Sequence, residues 1–252
     1  MNIAIVTGAS SGMGRQFVLQ LAHRGGFDAI WAVARRADRL QALKAEVPVV
    51  RPLPMDLTDP AAVPSLVRLL EEEKPAVSVL VNASGFGRFG RFDEIPLADS
   101  QSMIDLNVKA LVAVTEGVLP FMRAGGRVIQ LDSLSAFQPI PYLTVYAATK
   151  AFVLSYSRGL NAELRGSGIT VTAVCPGWVR TEFFDRAAAT SQTAVTNFNP
   201  LFEADWVVRR ALRAADRGKD LCVPGFTPRA IAFWAKRLPF GLVARAWEKI
   251  RH

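Results

Sequence analysis

Cysteine and histidine are scarce in this chain, which has two of each among its 252 residues. Cys175 and Cys222 lie far apart in the sequence, which excludes a disulfide scaffold and favours a reducing, cytoplasmic compartment. His23 and His252 have no ligand spacing either, so we expect no bound metal and no Ser–His hydrolysis. No apolar run approaches the ~20 residues that a membrane-spanning helix needs.

Positive charge is concentrated near the end of the sequence. The whole chain carries 30 basic and 22 acidic residues, a net charge of +8. Residues 205–252 contain 11 basic and 4 acidic residues, a net of +7, whereas residues 1–204 are almost neutral. Nucleic-acid binders are typically basic over a broad surface, so this distribution argues against a nucleic acid as partner.

Short apolar runs alternate with helical patterns along most of the chain. The predicted strands are Ile3–Thr7, Ala29–Ala34, Val47–Leu53, Val77–Asn82, Arg127–Asp132, Thr170–Cys175 and Asp220–Val223. The predicted helices are Gly14–Arg24, Ala61–Glu73, Ser100–Arg123, Val145–Leu164 and Glu203–Arg217. This alternation predicts an α/β fold: a single Rossmann-type, doubly wound domain with a seven-stranded, mainly parallel sheet and helices on both faces. Arg180–Pro200 lacks periodicity, which is typical of a lid or binding loop.

A glycine-rich turn, Thr7–Gly14, connects the first predicted strand to the first predicted helix. Gly8 allows a tight turn, Gly12 lets the backbone approach a pyrophosphate, and Gly14 allows close packing of helix and strand. The amides and the positive dipole end of the helix favour phosphate. The pattern predicts a dinucleotide site that includes Gly8, Ser10, Ser11, Gly12, Met13 and Gly14.

Two arginines, Arg35 and Arg36, stand where the second strand is predicted to end. An NAD site normally places an acid here, on the ribose 2′-hydroxyl. Guanidinium groups can instead pair with a 2′-phosphate, so we predict NADP(H), with Arg35 as the closer contact. The alternative is that both arginines begin a solvated helix. Asp56, after the third strand, either accepts the adenine amino group or caps the next helix.

Tyr146 and Lys150 are four residues apart in a predicted helix and therefore share one face. A free phenol has a pKa of about 10. The ammonium and an oxidised nicotinamide would both lower the pKa of Tyr146 towards that of a useful base. Ser133, at the end of the fifth strand, could bind a substrate carbonyl. Asn107 is unfavourable inside a helix, which predicts a polar task, such as binding backbone or water, or a local kink.

Together these motifs resemble the short-chain dehydrogenase/reductase family over about residues 3–225. The resemblance rests on Thr7–Gly14, Asn82-Ala83-Ser84-Gly85, Asn107, Ser133, Tyr146 with Lys150, and Pro176-Gly177-Trp178-Val179-Arg180-Thr181. It implies that Tyr146 is the acid/base and that Lys150 modulates its pKa and anchors the cofactor ribose. It also implies that Ser133 orients the substrate carbonyl and that Asn107 holds a water that relays protons behind Lys150.

The resemblance implies further contacts with the cofactor. They are Asp56, Leu57, Asn82, Ala83, Ser84, Gly85, Tyr146, Lys150, Pro176, Gly177, Val179 and Thr181, of which Val179 and Thr181 would position the nicotinamide carboxamide. An arginine at position 35 commonly goes with NADP(H) in that family. The usual Asn-Asn-Ala-Gly segment has lost its second asparagine at Ala83, which affects cofactor affinity rather than chemistry.

We therefore expect an NADP(H)-dependent oxidoreductase, a carbonyl reductase that moves hydride between the nicotinamide and the carbonyl or secondary alcohol of a small apolar substrate. The alternatives are a 3-oxoacyl reductase for carrier-linked substrates and a non-catalytic NADP(H)-binding regulator. Residues 1–228 would form the dinucleotide-binding catalytic part, and 229–252 a basic, aromatic extension of the same domain. That extension packs over the cleft or a dimer partner, contacts an anionic membrane, or binds an acidic carrier. The family also implies a homodimer or homotetramer.

Overall fold

The computed structural model of the chain describes residues 1–187 and 195–251. Its strands are β1 (Asn2–Thr7), β2 (Ala29–Ala34), β3 (Val50–Pro54), β4 (Ala76–Asn82), β5 (Met122–Leu131), β6 (Thr170–Val174), β7 (Trp178–Arg180), β8 (Leu201–Glu203) and β9 (Leu221–Cys222). Its helices are α1 (Gly12–Arg24), α2 (Ala37–Glu46), α3 (Ala62–Glu73), α4 (Leu97–Ile104), α5 (Leu111–Val118), α6 (Thr144–Glu163), α7 (Phe183–Ala187), α8 (Ala204–Asp216), α9 (Phe226–Ala235) and α10 (Phe240–Ile250). A π-helical turn, Asp105–Ala110, joins α4 to α5.

Seven of these strands form one sheet in the order β3-β2-β1-β4-β5-β6-β9, and every neighbouring pair is parallel. The chain winds outwards from β1 to β3 and then returns to β4 on the other side of β1. The chain therefore leaves the carboxyl ends of β1 and β4 in opposite directions, and the crevice between these connections is where ligands bind in open α/β sheets. This is the predicted Rossmann fold.

Helices cover both faces of the sheet because the strands are apolar on both sides. Within β1, Ala4 and Val6 belong to the core under α1 and α8. Ile3 and Ile5 belong to the opposite core, under α3 and α5. All four side chains are fully buried, so neither side of β1 faces solvent.

The structure corrects several predicted boundaries. The helix predicted over Ser100–Arg123 begins at Leu97, passes through the π turn and ends before Met122, which starts β5. Pro120 lies in a short 3₁₀ turn between α5 and β5, and proline cannot continue the helical hydrogen bonding. Helix α2 and the small parallel sheet of β7 and β8 were not predicted. Val47, predicted to begin a strand, ends α2 instead.

The basic C-terminal segment forms α9 and α10, which separate at Pro239 as its Pro–Gly sequence predicts. Ala232 of α9 is buried in a cluster with Phe137 and Ala173. The indole Nε1 of Trp247 in α10 donates a hydrogen bond to the carbonyl of Pro141, 2.9 Å away. Among residues 1–187 and 195–251, no helix is both long and apolar enough to cross a bilayer.

Candidate active site

The glycine-rich turn has the shape that a dinucleotide requires. Gly8 and Gly12 both have positive φ angles, +66° and +51°, in which other residues are strained. A Cβ at Gly14 would lie 2.2 Å from the carbonyl oxygen of Gly8, so no other residue fits there without a backbone shift. Helix α1 begins inside this turn at Gly12, and Ser11 makes no capping hydrogen bond through its side chain. The start of α1 is thus a suitable site for a pyrophosphate.

A cleft of about 720 Å³ lies along this turn and the carboxyl ends of the central strands. The predicted cofactor residues that line it are Gly8, Ser10, Ser11, Gly12, Met13, Gly14, Arg35, Arg36, Asp56, Leu57, Ala83, Ser84, Gly85 and Thr181. The lining residues that the sequence did not predict are Ala34, Arg39, Met55, Phe86, Leu106, Leu131, Glu182 and Phe183. The cleft is large enough and polar enough at its arginine end to hold a phosphorylated dinucleotide.

The two arginines after β2 have different partners. Arg36 donates to the hydroxyls of Ser10 and Ser11 at 3.1 and 2.7 Å and to Glu182 at 2.9 Å, so it joins the glycine-rich turn to the segment after β7. The guanidinium of Arg35 lies 3.6 Å from Asp56 and remains 56% exposed. Of these two guanidinium groups, Arg35 is therefore the one more available to a ligand phosphate.

Glu182 is a polar residue of the cleft that the sequence analysis missed. It forms ion pairs with Arg36 and Arg39, and its pKa is lowered by the hydrogen bonds from these two arginines. Its position directly after Thr181, a predicted cofactor contact, was the sequence feature that could have indicated Glu182 as a residue of the cleft.

Asp56 does not cap α3, which corrects one of its two predicted roles. Its carboxylate accepts hydrogen bonds from the amide and the hydroxyl of Thr58 at 3.0 and 2.7 Å, and Ala61 occupies the N-cap position of α3. Leu57 next to it is buried.

The segment after β4 is held by side chains that lie beneath the cleft. The Thr7 hydroxyl accepts hydrogen bonds from the amides of Ala83 and Ser84 at 3.1 and 3.2 Å. The Asn82 amide is buried and donates to the Thr115 hydroxyl at 2.9 Å. Asn82 therefore does not line the cleft, but it fixes the segment that does.

The Pro-Gly turn after β6 is only partly at the cleft. Thr181 lines it, whereas Pro176, Gly177 and Val179 do not. The Pro176 carbonyl accepts a hydrogen bond from the amide of Leu134 at 2.8 Å, and Val179 is buried in β7. Pro176 thereby ties this turn to the residue that follows Ser133.

The four predicted catalytic residues converge below the inner end of the cleft. Ser133 follows β5, Tyr146 and Lys150 share the buried face of α6, and the Ser133 hydroxyl lies close enough to the Tyr146 phenol to lower its pKa. The Lys150 ammonium donates to the carbonyl of Leu131 at 2.7 Å and lies 5.8 Å from the centre of the Tyr146 ring. A Cβ at Gly85 would lie 3.1 Å from Asn107 Oδ1 and 3.8 Å from Lys150 Nζ. Gly85 thus joins the catalytic group to the cleft.

Asn107 lies in the π-helical turn and is completely buried. Its amide exchanges two hydrogen bonds with the backbone of Phe86, at 3.0 and 2.9 Å, and donates a third to the Thr149 hydroxyl at 3.1 Å. The polar task and the local distortion that its helical position predicted are therefore both present. Asn107 fastens the loop after β4 to the catalytic helix.

Burial has the largest effect on the pKa values of Tyr146, Lys150 and Asp132. The pKa of Tyr146 is raised because the phenol is buried; the Ser133 hydroxyl partly opposes this rise, and Asp132 adds to it. The pKa of Tyr146 therefore lies above its ordinary value, whereas the sequence predicted a net lowering by Lys150 and the oxidised nicotinamide. Burial lowers the pKa of Lys150 and raises that of Asp132, and the attraction between the two charges opposes both shifts.

An aromatic cluster that was not predicted lies against Tyr146. It consists of Phe89, Trp178, Phe183, Phe184, Phe198 and Trp247, whose rings are 4.6 to 6.4 Å apart, centre to centre. The Phe183 ring lies 5.5 Å from the Tyr146 ring. A Cβ at Gly87 would come within 2.9 Å of both rings, so Gly87 is required for their packing.

The segment predicted as a lid or binding loop contributes part of this cluster. Phe183, Phe184 and Phe198 lie in its described ends, whereas residues 188–194 fall outside the described part of the chain. Aromatic side chains spread over four distant segments carry no periodic signal, which is why sequence patterns did not reveal the cluster.

Comparison with known proteins adds the decisive observation. The model of the short chain dehydrogenase family matches residues 2–192, three quarters of the chain. The chain belongs to the short-chain dehydrogenase family. The predicted catalytic residues and the residues that line the cleft all lie within the matched region.

Two enzymes and one solved structure show how similar the chain is to individual known proteins. Sulfoacetaldehyde reductase 2 of Chromohalobacter salexigens is 37% identical over 192 residues, 72% of this chain and 74% of its own. Serine 3-dehydrogenase of Rhizobium radiobacter is 35% identical over 185 residues, 71% of this chain and 72% of its own. A short-chain dehydrogenase from Sphingobium yanoikuyae, solved in complex with NADPH, is 32% identical and covers 96% of this chain and 95% of its own, with a TM-score of 0.79.

Proposed function

We propose that this short-chain dehydrogenase is an NADP(H)-dependent carbonyl reductase acting on a small apolar ketone or secondary alcohol. The observation that carries the proposal is the convergence of Ser133, Tyr146 and Lys150 between the dinucleotide cleft and the aromatic cluster. The NADPH complex of the Sphingobium relative supports the cofactor. The positive-φ glycines and the exposed guanidinium of Arg35 support it independently.

The residues of this chain would divide the chemistry as follows. Bound NADP(H) supplies or accepts the hydride. Tyr146 donates its phenolic proton to the carbonyl oxygen in reduction and takes a proton from the alcohol in oxidation. Ser133 holds the same substrate oxygen by a hydrogen bond, and the Lys150 ammonium stabilises the phenolate when it forms. Asn107 holds the loop of Phe86 against the helix that carries Tyr146, and we propose that it also binds a relay water behind Lys150.

The preference for NADP(H) is testable through Arg35. We expect Arg35→Ala to raise the Kd for NADPH by about 10- to 100-fold, because a charge-assisted hydrogen bond contributes ~1.5–3 kcal/mol, and to leave the Kd for NADH nearly unchanged. Fluorescence titration with both cofactors measures this. Lys44→Ala, an exposed cation on α2, is the matched control. NADH binding to the unaltered protein as tightly as NADPH would remove the phosphate role of Arg35.

An apolar substrate is supported by the composition of the wall beside Tyr146. The names of the two relatives, sulfoacetaldehyde reductase and serine 3-dehydrogenase, describe enzymes of small charged substrates. The family match ends at residue 192, before Phe198 and Trp247 enter the aromatic cluster. Part of the aromatic cluster thus lies outside the region that the family model matches, and we infer that its rings form a substrate wall that favours an apolar, ring-bearing ketone.

A substrate panel with NADPH consumption as the readout tests the proposal. We expect aryl ketones to give the highest kcat/KM and sulfoacetaldehyde and carrier-linked 3-oxoacyl substrates to give much lower values. A preference for the carrier-linked compounds would support the alternative 3-oxoacyl reductase. Tight NADPH binding without turnover of any compound would support a non-catalytic regulator.

Asp132 offers a pH test of the mechanism. Its carboxylate raises the pKa of Tyr146, so Asp132→Asn should lower that pKa. Reduction requires the protonated phenol and is lost as the pH rises through this pKa. The alkaline limb of kcat/KM should therefore move to lower pH. Asp205→Asn, an exposed carboxylate on α8, should leave the limb in place. A shift to higher pH would contradict the assignment of that limb to Tyr146.

We propose a homodimer or homotetramer that forms through the helices carrying Asn107 and Tyr146. The exposed apolar side chains of Ile104 and Phe152 on these helices support this assembly.

The contacts of Ala232 and Trp247 with the rest of the protein support treating residues 229–252 as part of the same domain as residues 1–228. The free, buried cysteines are compatible with a cytoplasmic location.

A further inference from the structure

Helix α9 turns its large apolar side chains towards solvent. Pro228 and Ala232 face the protein and are buried, whereas Phe226, Phe233 and Trp234 are 87%, 49% and 55% exposed. A surface helix normally has the opposite arrangement, with its large apolar side chains facing the core. The small inward residues show that packing against the protein does not require these aromatic rings.

The same apolar surface continues into α10. Leu238, Phe240, Leu242 and Ile250 are between 43% and 56% exposed. Of the thirteen large apolar side chains that are exposed in the described residues, eight lie between Phe226 and Ile250. Contiguous exposed apolar surface of this kind marks an interaction site. We call the exposed residues of α9, α10 and their connection the C-terminal face.

Cations are interleaved with these apolar residues. Residues 226–251 contain six basic side chains and one acidic side chain, Glu248. The Arg237 guanidinium lies 3.6 Å from the centre of the Phe233 ring. Within the described residues, Arg237, Arg245 and Lys249 form no ion pair. The C-terminal face therefore combines exposed aromatic rings with uncompensated positive charge.

The combination of exposed aromatic rings and positive charge favours an anionic lipid surface over a second copy of the chain. A second copy of the chain, related by a twofold axis, would place the cations of one face opposite those of the other, which is unfavourable. An anionic lipid surface complements the charge, and its interfacial region accepts Phe and Trp rings and the aliphatic stems of Arg and Lys. We propose that the C-terminal face binds the surface of anionic membranes peripherally.

The location of this face gives the binding a consequence for substrate access. Trp247 of α10 belongs to the aromatic cluster and is hydrogen-bonded to Pro141, in the loop that leads to Tyr146. Docking through α9 and α10 would place the substrate side of the protein against the lipid, where apolar ketones concentrate. This access route rests on the proposed carbonyl reductase activity, whereas lipid binding itself does not.

Sedimentation of the full chain with vesicles, without substrate, tests the proposal. We expect strong binding to phosphatidylcholine vesicles that contain phosphatidylglycerol, weak binding to phosphatidylcholine alone, and loss of binding at high salt. Arg237→Glu combined with Arg245→Glu should lower the partition coefficient at least ~30-fold, since each cation near an anionic surface strengthens binding about five-fold and the new carboxylates add repulsion. Phe233→Ser combined with Trp234→Ser should lower it independently of salt.

Matched controls separate surface binding from damage to the fold. Phe92→Ser removes an 86% exposed ring that belongs to neither α9 nor α10, and Lys44→Glu reverses an exposed charge on α2. Both should bind vesicles like the unaltered protein, and all variants should keep its Tm. The proposal would be overturned if the protein failed to bind the vesicles that contain phosphatidylglycerol, or if the control variants lost as much vesicle binding as the variants of the C-terminal face. A dimer that Phe233→Ser dissociates would also overturn it, because the face would then pair with a second copy. Vesicle binding that persists in a chain inactive on every ketone would leave the lipid proposal standing and refute only the carbonyl reductase activity.

Discussion

Tyr146→Phe should lower kcat for ketone reduction by about 10²- to 10⁴-fold, the contribution expected of one positioned acid. The substitution removes one oxygen from a buried ring that packs against Phe183 and Gly87, so the fold should persist. NADPH binding should remain close to that of the unaltered protein because Tyr146 does not line the cleft. Steady-state kinetics and NADPH titration of the same preparation measure both quantities.

Tyr156→Phe is the matched control for this experiment. Tyr156 lies on the same helix, and its hydroxyl is 3.5 Å from Glu116, far along α6 from Ser133. We expect its kcat to be unchanged. If Tyr146→Phe retained near-normal turnover on the best ketone, Tyr146 would not be the proton donor and the proposed mechanism would fail.

Gly14→Ala should abolish tight NADPH binding. The added Cβ would lie 2.2 Å from the carbonyl oxygen of Gly8, and backbone atoms cannot move aside as a flexible side chain can. The glycine-rich turn must therefore shift, at a cost of about 1–3 kcal/mol in the free energy of unfolding. We also expect the rise in Tm that NADPH produces in the unaltered protein to disappear, since a ligand does not stabilise a protein when its Kd far exceeds the ligand concentration.

Gly159→Ala makes the same chemical change at an open position. Gly159 lies within α6, and a Cβ there would meet no atom within 4 Å. We expect Gly159→Ala to raise the free energy of unfolding by up to ~1 kcal/mol, the difference in helix propensity, and to leave the NADPH-induced rise in Tm intact. Equal effects of the two substitutions would show that the turn tolerates a side chain at residue 14.

The position of the site was predictable because parallel strands end at one edge of the sheet. Gly8, Arg35 and Ser133 all follow apolar runs, and each therefore lies at the carboxyl end of its strand. Helix α6 was predictable for a similar reason, since a four-residue spacing fixes Tyr146 and Lys150 on one face whatever packs against them.

Contacts between distant segments were not predictable. The unfavourable position of Asn107 indicated a polar partner, but nothing in the sequence identifies that partner as the backbone of Phe86. Likewise, the spacing of Tyr146 and Lys150 does not reveal that burial outweighs the ammonium in setting the pKa of the phenol. Helix α2 was missed because only Leu40 and Leu43 are buried along it, too few for a clear period.

The C-terminal face illustrates a second limit. The composition of residues 229–252 indicated aromatic and basic character, but it left packing, membrane contact and carrier binding open. The choice depends on which side of α9 meets the protein, and small residues such as Ala232 determine that side through the space they fit. The large apolar residues of a helix normally mark its buried face, but those of α9 are exposed, so this rule would have assigned the wrong face of α9 to the protein interior.

The alkylation rate of the Cys175 thiol, just beyond β6, can report local opening of the protein next to Ser133. The thiol is fully buried, donates its proton to the Asp132 carboxylate at 3.4 Å, and has a pKa well above the usual range because of its burial. A small alkylating reagent can modify it only when the residues packed around it, among them Phe137 and Ala232, separate. The labelling rate of this one sulfur therefore measures local opening between Ser133 and α9, and its decrease on cofactor binding would show how far the ligand holds this region closed.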